Sequence, residues 1–165
     1  MTMSSIMKLY LLQKGISYSR KTHRLAFTSQ EIAAVEHIPQ REFAKTVVLK
    51  ADGRLIMAVL RGDQIINMEA LKRRIGCNIL SLVSEKEVKE QFPACQPGAM
   101  PPFGRLFGLM LYCDKALAKQ AEIEFNAGSH TDTIRMKFFD FMRLECPLMV
   151  DFSEEFKGQR ASRTA

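Results

Sequence analysis

The chain has 165 residues, of which 47% are hydrophobic, and it carries a formal net charge of +6. This length predicts one globular domain that buries roughly 70% of its unfolded surface without help from metals or disulfides. No apolar run approaches the roughly 20 residues of a membrane span, and the N-terminal residues do not have the order of a secretory signal. We therefore expect a cytoplasmic protein without membrane contact. The basic excess favours a polyanionic partner.

Cysteine usage points in the same direction. The four cysteines form no C-x-x-C pair and have no histidine at ligand spacing, which disfavours a zinc site. We predict buried, reduced thiols, no metal and no cofactor, with one disulfide as the less favoured alternative. The residues concerned are Cys77, Cys95, Cys113 and Cys146.

The first half of the chain alternates helix and strand signals. A short amphipathic helix is predicted to end at Gly15. Thr28-x-x-Glu31 is a capping box before a helix that ends near Pro39. Two β-rich runs around residues 52–53, which are Asp-Gly, predict a hairpin.

Two further capping patterns follow. Asn67 and Gly76 bracket a predicted short helix, then "NILSLV" predicts a strand, and Ser84-x-x-Glu87 caps a helix that ends before Pro93. The basic "LKRRIG" at the first helix end is interpreted as a complement to the helix dipole, with phosphate contact as the alternative.

The second half is predicted to be richer in strands. We expect a strand around 105–113, a short helix at 114–119, strands near 121–126 and 132–136, and a final helix in "KFFDFMRLE". The result is a mixed α/β fold of six or seven strands with helices around them. We assign residues 1–152 to one domain and residues 153–165 to a flexible tail.

Three features are candidates for a site, although nucleophile elbows, P-loops and dinucleotide fingerprints are absent from the sequence. Lys45 begins an apolar strand, where it is either a solvated strand end or a cation at a pocket. His130 follows a Gly-Ser turn, where it is either a turn residue or presented to a pocket. The loop "GAMPPFG", residues 98–104, is stiff because proline fixes φ, and it suits a turn or a pocket wall.

The order of the motifs resembles the YbaK/prolyl-tRNA synthetase-associated family of editing domains. The matching segments are "THRLAFTSQEIA", "FAKTVVLKADG", "LRGDQIINMEALKRRIG", "GAMPPFG", "LMLYCDKAL" and "EIEFNAGSHTDTIRM". The resemblance implies a curved mixed β-sheet approaching a barrel, flanked by helices. It also implies hydrolysis of the ester of a mischarged tRNA. The stiff Pro-Pro wall and small residues such as Thr46 and Ala99 suit a small amino acid, with alanine, serine and cysteine preferred in that order. The implied partners are aminoacyl-tRNA and an aminoacyl-tRNA synthetase.

The resemblance also implies a set of site residues. Lys45 would be the central pocket residue, with His130 and the glycine amides beside it; the "GAMPPFG" and "AGSH" segments would form two walls. We expect the following roles: catalytic, Lys45, His130, Gly98 and Gly128; substrate-binding, Thr46, Ala99, Met100, Pro101, Pro102, Phe103, Gly104 and Ser129; tRNA-binding, Arg20, Lys21 and Arg24.

Three alternatives remain open at this stage. One is a relative that binds tRNA or a synthetase without catalysis, and a second is a hydrolase of small esters that needs no tRNA. A general RNA-binding module is less favoured, because the chain has no Trp and three Tyr and lacks aromatic residues interleaved with cations.

Overall fold

The computed structural model describes residues 2–156. Six α-helices lie in this part of the chain, and two 3-10 turns at Gln40–Glu42 and Leu117–Lys119 accompany them. The longest helix has 11 residues, and between residues 2 and 156 no helix combines the length and apolar character needed to cross a bilayer. The helices are α1 Met3–Gln13, α2 Ser29–Glu36, α3 Met68–Ile75, α4 Glu85–Gln91, α5 Gly104–Phe107 and α6 Phe138–Glu145.

Ten strands within the described residues form three sheets. Their bounds are β1 Ser19–Thr22, β2 Ala44–Ala51, β3 Arg54–Arg61, β4 Gln64–Ile66, β5 Leu80–Leu82, β6 Met110–Asp114, β7 Glu122–Asn126, β8 Asp132–Lys137, β9 Leu148–Val150 and β10 Ser153–Glu155. The five-stranded sheet has the order β5-β2-β3-β6-β9, with β3-β6 and β6-β9 parallel. The others have the orders β1-β8-β7 and β10-β4, and both are antiparallel.

One parallel bridge, between Phe43 and Glu124, links the start of β2 to β7. The bridge joins the two larger sheets into a curved surface that stays open. The predicted architecture, a curved mixed sheet flanked by helices, is therefore confirmed.

Local signals set most of the element boundaries. Asp52 and Gly53 have φ values of 47° and 82°, the left-handed pair that a two-residue hairpin turn requires, and β2 pairs with β3 along its whole length. The hydroxyls of Thr28 and Ser84 accept hydrogen bonds from backbone amides three residues on, at 3.0 and 3.2 Å. The Asn67 side chain does the same for α3 at 3.0 Å. These predicted caps are confirmed.

The structure corrects the prediction for residues 105–113. Gly104–Phe107 forms α5, which ends at Gly108 with φ 67°, and the strand begins only at Met110. A short apolar run has no periodicity that separates helix from strand.

The number of strands also exceeds the prediction. The additional strands β1, β4, β9 and β10 have only three or four residues each. Ser153–Glu155, assigned to a flexible tail, pairs with β4. The rest of that predicted tail, from residue 157 onward, lies outside the described residues.

All four cysteines are free thiols, as predicted. Cys95 and Cys113 are buried, but Cys146 is exposed and Cys77 half-buried, so the expectation of four buried thiols was wrong. Burial raises the pKa of Cys95 to about 11 and that of Cys113 further. Neither buried thiol is therefore a thiolate nucleophile at neutral pH.

Candidate functional site

The structure brings the "GAMPPFG" loop and the "AGSH" turn together. We call residues 97–100 and 126–130 the loop–turn junction. The Gly128 amide donates to the Ala99 carbonyl at 2.9 Å, and the Gln96 amide donates to the Gly128 carbonyl at 2.8 Å. The His130 amide donates to the Gln96 side chain at 2.9 Å. These hydrogen bonds fix the two segments relative to each other.

His130 lies within this junction and is only 9% exposed. Its Nε2 lies 2.9 Å from the Pro97 carbonyl. A carbonyl only accepts, so Nε2 donates, and the neutral ring then presents Nδ1 as an acceptor. Nδ1 is buried and has no hydrogen-bond partner among the described residues. The exposed ring of Phe27 packs against the imidazole with ring centroids 4.9 Å apart.

Two further side chains present unpartnered polar atoms near Gly98. Asn126 donates from Nδ2 to the Gly98 carbonyl at a long 3.4 Å, and its Oδ1 is buried with no partner in the described part of the chain. The Thr46 hydroxyl is likewise buried and unpartnered there. Asn126 was not among the predicted site residues although it directly precedes the "AGSH" turn, because its place in the site depends on a contact with Gly98 that the sequence does not record. Buried polar atoms are normally satisfied, so this concentration needs an explanation.

The two glycines of the junction differ in what their amides can do. Both have left-handed φ, 81° at Gly98 and 93° at Gly128. The Gly128 amide donates to the Ala99 carbonyl, so it is not free to stabilise an oxyanion. This contact corrects the catalytic role predicted for Gly128. Within residues 2–156, the Gly98 amide has no acceptor at hydrogen-bond distance. A Cβ on Gly128 would lie 2.5 Å from Met3, so this position requires glycine for packing.

Most of the stiff loop anchors the junction in the core. Ala99 and Phe103 are completely buried and Met100 nearly so. The Phe103 ring packs against Tyr10 and Phe125, with centroids 5.7 and 5.3 Å apart. The other loop residues predicted to bind substrate, Pro101, Pro102 and Gly104, are also buried.

Thr46, Gly98 and Met100 line one cavity of about 240 Å³. This volume is below the roughly 300–1,000 Å³ typical of pockets for drug-sized ligands. Pro97 and the apolar residues Val48 and Val88 contribute to the same wall. The cavity therefore suits a small group with few polar atoms.

Lys45 points to the other face of β2, because successive side chains of a strand alternate. It lines a cavity of about 260 Å³ together with Thr28 and Ser29, at the start of α2, and Asp63. Burial lowers the pKa of Lys45, and the charge of Asp63 partly opposes that shift. No carboxylate of the described residues forms an ion pair with Lys45, and Asp63 is bound by Arg61 at 2.6 and 2.9 Å. Lys45 and the loop thus line different cavities on either side of β2.

The predicted tRNA-binding cations are not equivalent. Arg20 pairs with Asp132 at 2.9 Å, and Lys21 pairs with Glu36 and Glu124 at 3.3 and 3.5 Å. The Ser129 hydroxyl donates to the same Asp132 at 2.8 Å. Ser129 therefore stabilises the turn. Of the three predicted tRNA-binding cations, only the exposed Arg24 forms no ion pair with a described residue.

Comparison with known proteins defines the class. Residues 23–144 match the model of the aminoacyl-tRNA editing domain. The chain therefore belongs to the aminoacyl-tRNA editing domain family, and the resemblance in its motifs is confirmed. Between residues 2 and 156, no group of three or more His, Cys, Asp or Glu side chains could hold a metal ion.

Individual relatives are similar over much of the chain. The multifunctional Ser/Thr-tRNA deacylase ProXp-y of Escherichia coli (strain K12) is 31% identical over 147 residues, covering 86% of this chain and 87% of that protein. The proline–tRNA ligase of Bacillus mycoides (strain KBAB4) is 29% identical over 89 residues, covering 54% of this chain but 16% of the ligase.

Solved structures share the fold at low identity. A candidate trans-editing enzyme for prolyl-tRNA synthetase superposes with a TM-score of 0.80 at 18% identity, covering 92% of this chain and 97% of that one. A hypothetical protein superposes with a TM-score of 0.82 at 19% identity, covering 90% and 99%.

Proposed function

We propose that this editing domain acts in trans and removes serine or threonine from mischarged tRNA by hydrolysing the aminoacyl ester. The family assignment supports a deacylase, and the Ser/Thr-tRNA deacylase relative aligns over nearly its whole length. The observation that carries the proposal is the loop–turn junction, which combines a free Gly98 amide with a small cavity lined by Thr46.

The cavity supports a small aminoacyl group. Its walls come from β2, from residues around α4 and from the start of the glycine loop, and that loop is anchored in the core by the buried Met100 and Phe103. A pocket of fixed size rejects larger side chains but discriminates poorly against smaller ones. The sequence favours alanine before serine, whereas the similarity to a Ser/Thr-tRNA deacylase favours hydroxyl-bearing residues.

Lys45 is assigned to the terminal phosphate of the tRNA. Its cavity includes the first residues of α2, and a helix start with a nearby lysine attracts anions. Lys45 forms no ion pair within residues 2–156, and burial lowers its pKa. A phosphate bound in the same cavity would favour the charged form of the lysine. The exposed Phe27 ring beside His130 offers a surface on which the terminal base can stack.

The chemical step needs no protein nucleophile. Water attacks the ester carbonyl, and the developing oxyanion accepts a hydrogen bond from the Gly98 N–H. The C–O bond to the ribose then breaks. The vicinal ribose hydroxyl relays the proton from water to the leaving ribose oxygen. One preorganised oxyanion donor accounts for roughly 10²–10³ in rate, and the fixed substrate geometry adds an entropic gain.

The test is deacylation of tRNAs charged with serine, threonine, alanine, cysteine and proline. We expect hydrolysis of Ser- and Thr-tRNA. Lys45→Ala should lower kcat/KM by roughly 10²-fold, because the ester is misplaced when the terminal phosphate is no longer held. Lys50→Ala is the matched control, because Lys50 lies on the same strand but pairs with Glu87 on the surface; it should retain activity.

Three results would contradict the proposal. Equal activity of Lys45→Ala and the wild-type protein would remove the assigned role of Lys45. Binding of tRNA without hydrolysis of any ester would indicate a non-catalytic relative. Hydrolysis of small esters with no dependence on salt would indicate an enzyme that makes no phosphate contacts.

The same proposal includes a cytoplasmic location, because charged tRNA is made and used there. It also includes prolyl-tRNA synthetase as the enzyme whose errors are corrected. The similarity to a segment of a proline–tRNA ligase supports this pairing.

A further inference from the structure

Unpartnered buried polar atoms are concentrated in one place. Five such side-chain atoms occur among residues 2–156, and three of them are Thr46 Oγ1, Asn126 Oδ1 and His130 Nδ1. Asn126 and His130 donate to the Gly98 and Pro97 carbonyls, and Thr46 lines a cavity with Pro97 and Gly98. One of the two remaining atoms, Arg135 Nη1, lies 3.6 Å from Glu124 in an ion pair. We call the three atoms the acceptor cluster.

Hydrogen bonds to backbone carbonyls determine which atoms remain available. Asn126 directs Nδ2 to the Gly98 carbonyl, so its oxygen is left as an acceptor. His130 directs Nε2 to the Pro97 carbonyl, so Nδ1 of the neutral ring is also an acceptor. The Thr46 hydroxyl can accept as well. The cluster therefore complements a group that donates several hydrogen bonds.

An aminoacyl ester carries one such group, the α-ammonium, which has three N–H donors. A side-chain hydroxyl offers only one donor and leaves two acceptors unsatisfied. The α-nitrogen is two bonds from the ester carbonyl carbon, whose oxyanion is assigned to the neighbouring Gly98 amide. Lys45 points to the opposite face of β2, so its charge does not face the cluster.

We propose that the acceptor cluster binds the α-ammonium of the substrate, so that the enzyme requires a free amino group and rejects N-acylated and peptidyl esters. This inference rests on the proposed deacylase function and extends it to the class of ester accepted. Asn126 and Thr46 contact the amino group directly. Peptidyl-tRNA engaged in translation would be protected by the same contacts.

The test compares three esters of one tRNA: seryl, N-acetylseryl, and the glyceric acid ester (here called glyceryl) that nitrous acid deamination of the seryl ester produces. The glyceryl ester replaces the ammonium by a hydroxyl without added bulk, so it separates recognition from steric exclusion. Each enzymatic rate is divided by the spontaneous hydrolysis rate of that ester. We expect the seryl ester to exceed both others by at least about 10²-fold, because a site that hydrogen-bonds a substrate N–H rejects analogues lacking it.

Variants assign the effect to the cluster. Asn126→Leu should lower the seryl rate and leave the N-acetylseryl rate unchanged, so the ratio falls at least tenfold. Asn78→Leu, at an exposed asparagine, should leave the ratio unchanged, and thermal melts report whether both variants fold. Equal normalised rates for seryl and glyceryl esters in the wild-type protein would overturn the inference.

A binding measurement separates this inference from the deacylase proposal. Adenosine carrying a non-hydrolysable 3′-seryl amide, and its N-acetyl derivative, are titrated by calorimetry. Selective binding of the free amine without Ser-tRNA hydrolysis would reject the deacylase proposal and keep the amino-group inference. Equal binding of both compounds would overturn the inference even if Ser-tRNA is hydrolysed.

Discussion

Two polar regions of the molecule are built in opposite ways. On the face formed by β1, β7 and β8, the carboxylate of Glu124 is completely buried but fully paired. It accepts a hydrogen bond from the Thr133 hydroxyl at 2.9 Å and forms ion pairs with Lys21 at 3.5 Å and Arg135 at 3.6 Å. In the acceptor cluster, within residues 2–156, three buried polar atoms have no partner.

The contrast separates structural polarity from recognition. A buried charge is tolerated when its partners are in place, and the Glu124 network supplies them while joining β2 to β7 through the Phe43 bridge. Unsatisfied atoms cost stability unless a ligand or water completes them. We therefore expect substitutions in the two regions to have opposite effects on stability.

The largest expected effect on stability is at Glu124. Glu124→Ala removes the acceptor of the buried Thr133 hydroxyl and one anion beside Lys21 and Arg135. The two cations keep Glu36, Glu42 and Glu122 as partners, so the expected cost is that of hydrogen bonds lost at one buried charge, about 1.5–3 kcal/mol. The free energy of unfolding, measured by urea denaturation, should fall by this amount.

The matched control is Glu122→Ala. Glu122 pairs with the same Arg135 at 2.9 Å, but its side chain is 47% exposed, and exposed pairs contribute about 0–1 kcal/mol. Similar losses in the two variants would show that burial of Glu124 does not set the strength of the network.

The same replacement, threonine by valine, can be made in both regions and tests whether they differ in stability. Thr133→Val removes a hydroxyl that donates to Glu124 and should cost about 1–3 kcal/mol. Thr46→Val removes an unpartnered hydroxyl of the same size and should raise the free energy of unfolding by roughly 1 kcal/mol, while it lowers Ser-tRNA hydrolysis. Equal losses of stability in both variants, measured by thermal melting, would mean that the Thr46 hydroxyl has a partner in solution.

The sequence predicted those parts of the fold that depend on neighbouring residues. The caps at Thr28, Asn67 and Ser84 and the Asp52-Gly53 turn each act over a few residues. Strands such as β1 escaped prediction because four mostly exposed residues pair with a partner more than 100 residues away. No local periodicity records such a pairing.

The site was predictable only in part for a similar reason. The order of motifs identified Lys45, His130 and the glycine loop, and the structure joins the last two. Alternation along β2, which places Lys45 and Thr46 on opposite faces, follows from the strand itself, so the predicted strand already implies that the two side chains do not share one cavity. Asn126 and the engaged amide of Gly128 depend on contacts across the fold, which a single sequence does not contain.

Glu145 is an intermediate case between the two regions. It is 5% exposed and accepts hydrogen bonds from the Tyr10 hydroxyl at 2.7 Å and the Arg105 amide at 3.2 Å. Within residues 2–156 it forms no ion pair. Burial consequently raises the pKa of Glu145, although the hydrogen bonds from Tyr10 and Arg105 oppose that shift.

This raised pKa gives the smallest predicted effect, a change in pH dependence. The folded protein binds the Glu145 proton more tightly than the unfolded chain, so stability falls as pH rises from about 4.3 through the raised pKa. Glu145→Gln removes this titration. The difference in the free energy of unfolding, variant minus wild type, should therefore rise across that window and then level off. Each tenfold change in the acid constant corresponds to about 1.4 kcal/mol, whereas the altered hydrogen bonds shift the difference by an amount independent of pH. A difference that stays constant between pH 4 and pH 8 would show that the hydrogen bonds from Tyr10 and Arg105 fully offset the burial of the carboxylate.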